Sequence, residues 1–328
     1  MDNTLHLPAR PGATTPSTAL KTDVRVVGGR PVFHVNGRPH HGFFSSAPAP
    51  YMKNVLDAGF DIVDTHPQTF TGWVGANTYD YTETDRRIEA YLAQSPDALL
   101  IVRFWLGYPN IEGDRGAFWW APENPDECVH PLDVADGVSM PWDDLKAAAS
   151  WNQLIGANTG SANAATAKKQ HPPKPSFASL KFREEAGEAL RRVIRHVEEN
   201  YGDRVAGYVI GGGPCGEWFH WHADEARMMD YGAPMRRHFQ RWLEQKHGDI
   251  AALNRAWGSA HRAFSEIEPP TPEERFRPAF GNLRSAVTEQ KTLEFYDALH
   301  RAVADTLLHW VAKAKEGCDR RKAMMVFY

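Results

Sequence analysis

Hydrophobic and polar positions along this chain switch between two spacings, and the order of the switches predicts the architecture. Residues 24–36, VRVVGGRPVFHVN, alternate about Gly28-Gly29 and run into Asn36-Gly37. β-Branched runs broken by turn dipeptides predict a hairpin. A short strand follows at about 41–46, then a helix at about 49–59 with Gly59 closing it, and a strand at 61–65. Residues 82–95 take the helical period, and 98–105 (ALLIVRFW) form a nearly continuous apolar run, the mark of a strand covered on both faces. After a long irregular stretch, 107–175, the clearest helix spans 179–200. Phe182, Ala186, Leu190, Ile194 and Val197 share one face there, with Ser179 as N-cap. A second buried strand is predicted at 205–212, helices at 232–247, 249–257 and 283–316, and a last apolar run at 323–328.

Strands near 41–46, 61–65, 98–105, 205–212 and 323–328, separated by helices, predict a parallel sheet with helical crossovers. A doubly wound sheet and a (β/α)8 barrel both fit, and both place function at the C-terminal strand ends. The residues there are Ser45 and Ser46; Asp64, Thr65 and His66; Arg103 and Trp105; Pro214, Cys215, Gly216, Glu217 and Trp218; and Tyr328.

Composition then excludes several classes. The 328 residues carry 37 Lys and Arg against 41 Asp and Glu, a net charge of −4. That balance argues against a nonspecific nucleic-acid binder or a partner of anionic membranes. Hydrophobic residues are 42% and charged residues 24%, enough for a real core. Three cysteines, Cys128, Cys215 and Cys318, are widely spaced and form no metal or disulfide framework. Residues 1–22 are polar, rich in Pro and Thr, and without the apolar core of a secretion signal, which predicts a flexible leader and a cytoplasmic protein. The composition leaves room for a homo-oligomer and calls for no cofactor.

Glu217, in GGGPCGEWFHW (211–221), is the candidate general acid: a carboxyl beside the Trp218 indole would be partly desolvated and its pKa raised. An ordinary loop carboxylate is the competing reading. The Gly211-x-Gly213-x-x-Gly216 match to a dinucleotide fingerprint is weak, because Pro214 removes an amide that a phosphate would need. His220 and His222 with Asp224, joined by His66 and the His40-His41 pair from neighbouring strands, are candidate metal ligands, against surface histidines or a role in an aromatic cluster. Arg103, ending an apolar strand, is expected to pair a carboxylate or to touch substrate. Of eleven tryptophans, Trp73, Trp105, Trp119, Trp120, Trp142, Trp151, Trp218 and Trp221 fall in loops or at strand ends, a bias that favours a sugar ligand over loop packing.

The stretch 236–270 is similar to a segment of glycoside hydrolase family 42, the β-galactosidases: Phe239, Trp242, Leu243, Lys246, His247 and Gly248, then Ile250, Leu253, Asn254, Ala256, Trp257 and Gly258. The resemblance covers about 180–328 well and 24–105 loosely. It implies a retaining (β/α)8 hydrolase of O-glycosidic bonds, with Glu217 as acid/base after the fourth strand. Arg103, Trp105, Asp64, His66, Trp218 and Tyr328 become sugar-site residues. Two departures stand out. Gly216 replaces the Asn that the resemblance leads one to expect before the Glu, and PCGEW has a flavour of β-amylase. The chain also reaches only about five strands, so residues 23–328 read as the N-terminal part of a barrel. The nucleophile, about 5–5.5 Å from the acid in a retaining enzyme, is expected beyond residue 328. A non-catalytic sugar-binding barrel and a metal-dependent hydrolase using His66, His220 and His222 are the alternatives.

Overall fold

The computed structural model describes residues 3–4, 20–65, 71–106, 119–129, 132–133, 174–213, 217–220, 227–276, 278–281 and 283–327. An antiparallel sheet comes first: β1 Thr22–Val27, β2 Arg30–Val35 and β3 Arg38–His40. The turn between β1 and β2 uses Gly28 and Gly29, both at positive φ, where a side chain would be strained. Then come β4 Ser45–Ala47, α1 Met52–Asp57, β5 Ile62–Thr65, α2 Thr82–Gln94 and β6 Leu99–Leu106. The second half holds α3 Leu180–Tyr201, β7 Val205–Gly212, α4 Ala233–His247, α5 Ile250–Trp257, α6 Gln290–Gly317 and β8 Ala323–Met325.

Strands β4 to β8 form one sheet in chain order, every pair parallel. A doubly wound sheet reverses its order at a switch point; this one does not. All four crossover segments accordingly cover the same face. Met52 of α1, Ile88 of α2, Leu190 and Val193 of α3 and Trp310 of α6 share one cluster with Val63, Val102, Phe104, Tyr208 and Ile210 of the sheet. This is the winding of a (β/α) barrel, open in this chain between edge strands β4 and β8. Every residue of β7 is buried because it is covered on both faces.

The opposite face, which lines a barrel's interior, is closed at its N-terminal end by the hairpin. Leu20, Phe33 and Val35 pack on Ile62, Ile101, Ala206 and Val209. Thr22 latches the hairpin to the sheet: its hydroxyl donates to the Ala206 carbonyl at 2.5 Å and accepts from the Ala323 amide at 2.9 Å. The chain is already packed just before β1. Leu20 is buried and its amide donates to the Gly202 carbonyl, while Asn3–Thr4 pairs in parallel with Thr78–Tyr79.

Ser179 caps α3 as expected, accepting from the Phe182 amide at 3.0 Å. The helix predicted from 283 starts at Gln290 instead. The Glu289 carboxylate accepts from the amides of Ser285 and Ala279 and from Arg284, which holds residues 284–289 in a compact turn. A third cluster joins α4, α5 and α6 around Phe239, Leu243, Leu253 and Phe295. Among the described residues no helix is long and apolar enough to cross a membrane.

Candidate active site

Neighbouring strands bring Asp64 and Arg103 together on the inner face, near the C-terminal strand ends. Asp64 is fully buried and accepts from the Ser46 hydroxyl at 2.5 Å, from Arg103 Nη2, and from Arg103 Nε at 3.4 Å. A carboxylate out of water needs such partners. The Arg103 guanidinium also lies over the Phe327 ring, 5.1 Å from its centroid, and its backbone amide donates to the Thr65 hydroxyl. The pairing expected of Arg103 is thus intramolecular, with side-chain exposure reduced to 17%.

Glu217 sits in the loop beyond β7 and is exposed. Its position is set by the residues around it. Gly213 has φ +64°, and a Cβ there would lie 2.5 Å from the Glu217 carbonyl oxygen and 2.4 Å from that of Phe219. Only glycine allows the backbone to double back so closely. Two indoles then pin the loop. Trp105, on the inner face, donates to the Gly213 carbonyl at 2.9 Å. Trp218 turns into the helix layer, donates to the Ile210 carbonyl at 3.1 Å, and packs on Phe177 and Trp310.

This differs from the sequence expectation in a definite way. Glu217 is exposed and Trp218 is buried, so the indole does not shield the carboxyl. The other described loop tryptophans also pack inward. Trp120 is fully buried, and Trp73 and Trp119 meet edge to face at 5.0 Å. Among the described residues, Phe219 and Phe327 are exposed aromatics at these strand ends. Trp142, Trp151 and Trp221, like His66, His222, Asp224, Tyr328 and Pro214–Gly216, lie outside the described residues.

Glu217 opens into a cleft of about 730 Å³, with Phe219, His220, Arg275, Tyr296 and Phe327 among its walls. Phe327 therefore joins the Arg103–Asp64 pair to the cleft. His220 Nε2 donates to the Leu299 carbonyl at 3.2 Å, and burial pushes the imidazole pKa down to about 4. The ring is neutral at pH 7, and its buried Nδ1 is an acceptor with no partner. Arg275 donates to the Met229 carbonyl and lies over the rings of Tyr231, Phe295 and Tyr296, all within 5.5 Å of their centroids. Among the described residues that line the cleft with Glu217, no other carries a carboxyl. Phe327, next to the expected Tyr328, was not named from the sequence; it follows the last strand, Ala323–Met325, and lines the cleft. Arg275 had no signal, being one charge among several in a Pro-rich loop.

Metal ligation can be tested on one described group. His40, His41 and Asp61 bring three potential ligand atoms within 4.8 Å. The Nδ1 atoms of His40 and His41 accept from the amides of Gly42 and Phe43, each at 3.0 Å. Each neutral ring then carries its proton on Nε2, the nitrogen that faces Asp61. A metal-binding imidazole has the opposite arrangement, with its outer nitrogen donating. The group is a carboxylate–histidine clasp between β3 and the start of β5, at the end of the sheet remote from Glu217.

A family model for glycoside hydrolase family 42, described as beta-galactosidase, matches residues 161–311, a span that contains Glu217. A thermophilic beta-amylase of Thermoanaerobacterium thermosulfurigenes is 33% identical over 86 residues, 24% of this chain and 16% of that protein. A beta-galactosidase of Thermus thermophilus is 35% identical over 99 residues, 29% of this chain and 14% of that protein. Two solved structures share the fold. The beta-galactosidase of the psychrophilic Marinomonas ef1 has TM-score 0.54 at 16% identity, covering 86% of this chain and 36% of that one. The catalytic domain of beta-amylase from Paenibacillus polymyxa has TM-score 0.56 at 16% identity, covering 86% and 65%. This chain thus spans about a third of the length of that galactosidase. It resembles the catalytic region of glycoside hydrolase family 42, and its homologues are glycoside hydrolases.

Proposed function

We propose that this chain contributes the acid/base half of the active site of a retaining hydrolase of O-glycosidic bonds, β-galactosidase-like in class, with Glu217 as the proton donor. One observation carries the reading. Glu217 is an exposed carboxyl held by a glycine and two indoles just past the fourth strand of a barrel-ordered parallel sheet, inside the span that matches the family. Function in such sheets gathers at those strand ends.

In the first step Glu217 gives its proton to the glycosidic oxygen as the bond to the anomeric carbon breaks, so the leaving alcohol departs neutral. In the second, the Glu217 carboxylate takes a proton from water as that water attacks the same carbon. Both steps need a second carboxylate, about 5–5.5 Å from Glu217, as nucleophile. The relatives' greater length supports its being supplied by barrel strands outside the five described here. Arg103 presents its exposed edge to the sugar, while Asp64, Trp105 and Trp218 hold the site's shape. Matches to both a galactosidase and an amylase support the bond class more firmly than the sugar. The described cysteines, Cys128 and Cys318, are buried and unpaired, which fits the cytoplasm.

Glu217→Gln, made in the enzyme that carries both carboxylates, tests the assignment. With poorly activated alkyl glycosides kcat should fall roughly 10²–10⁴-fold, and far less with aryl glycosides whose leaving group departs without a proton. An unchanged rate on the alkyl substrates rejects Glu217 as the acid. A non-catalytic sugar-binding barrel is the second reading, favoured by the single carboxyl among the described cleft residues. It predicts saturable sugar binding without turnover.

A further inference from the structure

A second recess lies on the helix layer, where the start of α3, the middle of α4 and the middle of α6 converge. Its volume is about 540 Å³, and its walls include Arg183, His238, Arg241, Arg301 and Asp305. Three guanidinium groups thus face one carboxylate. Arg241 and Arg301 make no hydrogen bond or ion pair with any described residue. Arg183 is only half satisfied: Nε donates to the Thr306 hydroxyl at 2.9 Å, and the Thr306 proton goes to the Phe177 carbonyl at 2.7 Å, which fixes that geometry. Its Nη2 is buried without a partner. A buried charged donor with nothing to donate to is an uncompensated group.

The remaining groups do not neutralise this charge. Lys246, at the margin, is already committed to Glu294 at 3.1 Å and to the Trp242 ring. His238 donates to the Ala298 carbonyl at 3.0 Å. Burial first, and then the charges of Arg241 and Arg183, push its pKa down to about 4, so the imidazole adds no positive charge at pH 7 and itself registers the local field. The group that matches these donors is an anion that accepts from several planar donors at once. Guanidinium groups meet tetrahedral oxyanions and carboxylates in bidentate fashion, and three converging forks match the three-dimensional spread of oxygens on a tetrahedral centre better than the flat carboxylate.

We propose that this recess binds a phosphate or sulfate group, free or as an ester, through Arg183, Arg241 and Arg301. It is walled by helices α3, α4 and α6, away from the loop that carries Glu217, so it stands or falls independently of the hydrolase reading.

The test is titration calorimetry of the whole chain with sodium phosphate and with sodium sulfate, against sodium chloride at equal ionic strength. Saturable one-to-one binding of either oxyanion, with chloride silent, is expected. Arg241→Ala with Arg301→Ala should weaken it about tenfold or more, and because both side chains are exposed and unbonded the double variant should keep the parent melting temperature. Binding of phosphate alone names a phosphoryl ligand, and of sulfate alone a sulfate ester. Oxyanions no better than chloride, or a double variant that binds as tightly as the parent, overturn the proposal.

Discussion

Removing the carboxylate of the inner-face ion pair offers the sharpest check on how this sheet is held. In Asp64→Leu the Arg103 guanidinium loses its two bonds to the carboxylate and keeps only Ser46 Oγ at 3.5 Å and the Phe327 ring. Asp64 is fully buried, and the Arg103 side chain is 17% exposed. Breaking one side of a buried pair costs about 3–5 kcal/mol. Arg103 retains some contact with water, which places the expected loss near the lower end, about 3 kcal/mol. At roughly 2–4 °C per kcal/mol for a chain of this size, the melting temperature should drop about 6–12 °C. Urea unfolding followed by tryptophan fluorescence measures the stability loss, since Trp105 lies two residues along the same strand from Arg103. The double variant Asp64→Leu with Arg103→Met removes both charges and should recover stability to within about 1 kcal/mol of the parent. A single variant that unfolds at the parent's midpoint, or a double variant whose loss is the sum of the two singles, would falsify the claim that this pair is coupled and desolvated.

Three other outcomes follow from the same structure. Gly213→Ala puts a methyl group against the Glu217 and Phe219 carbonyl oxygens at a backbone angle alanine avoids; it should lower kcat at least tenfold by moving Glu217, while a stable, fully active variant would show that the loop's close approach is dispensable. Thr22→Val removes both bonds of the hairpin latch and leaves a buried carbonyl and amide unsatisfied, a loss of about 1–3 kcal/mol, with faster amide exchange at Ala323 as its local signature. His238 is held neutral in the folded state, pKa about 4 against the ordinary 6.5. The unfolded chain therefore binds the extra proton between those values, and stability is complete above pH 6.5 and lost as pH falls toward 4, by up to about 3 kcal/mol. Denaturant midpoints measured from pH 7 to 4 should fall less steeply in His238→Gln, and equal slopes would remove His238 from the account.

Much of the architecture was legible along the chain. All five strands of the parallel sheet lie within a few residues of their predicted positions, because a strand covered on both faces must be apolar throughout and the intervening helices must show a 3.6-residue stripe. Ser179 and Gly59 marked helix ends for similarly local reasons. Glu217 was legible as a loop carboxyl past a buried strand, since Gly213 and Gly216 announce an unusual backbone, but its exposure was not, because the sequence predicted shielding by Trp218. The orientation of the described loop tryptophans was not legible. Composition says that an indole lies near a strand end, but only packing decides which way it turns, and Trp105, Trp120 and Trp218 turned inward.

What the sequence determines by itself is therefore what rests on near neighbours: periodicity, caps, turns and the order of elements. The tertiary structure alone decided the pairing of Asp64 with Arg103, 39 residues away, and the burial of Lys322, whose ammonium donates to the Gly202 carbonyl at 2.6 Å. It also decided the meeting of Arg183, Arg241 and Arg301 from three helices. Each depends on which faces are brought together when the sheet winds in chain order, and charge at a single position carries no record of the partner or the water it will have once that winding is complete.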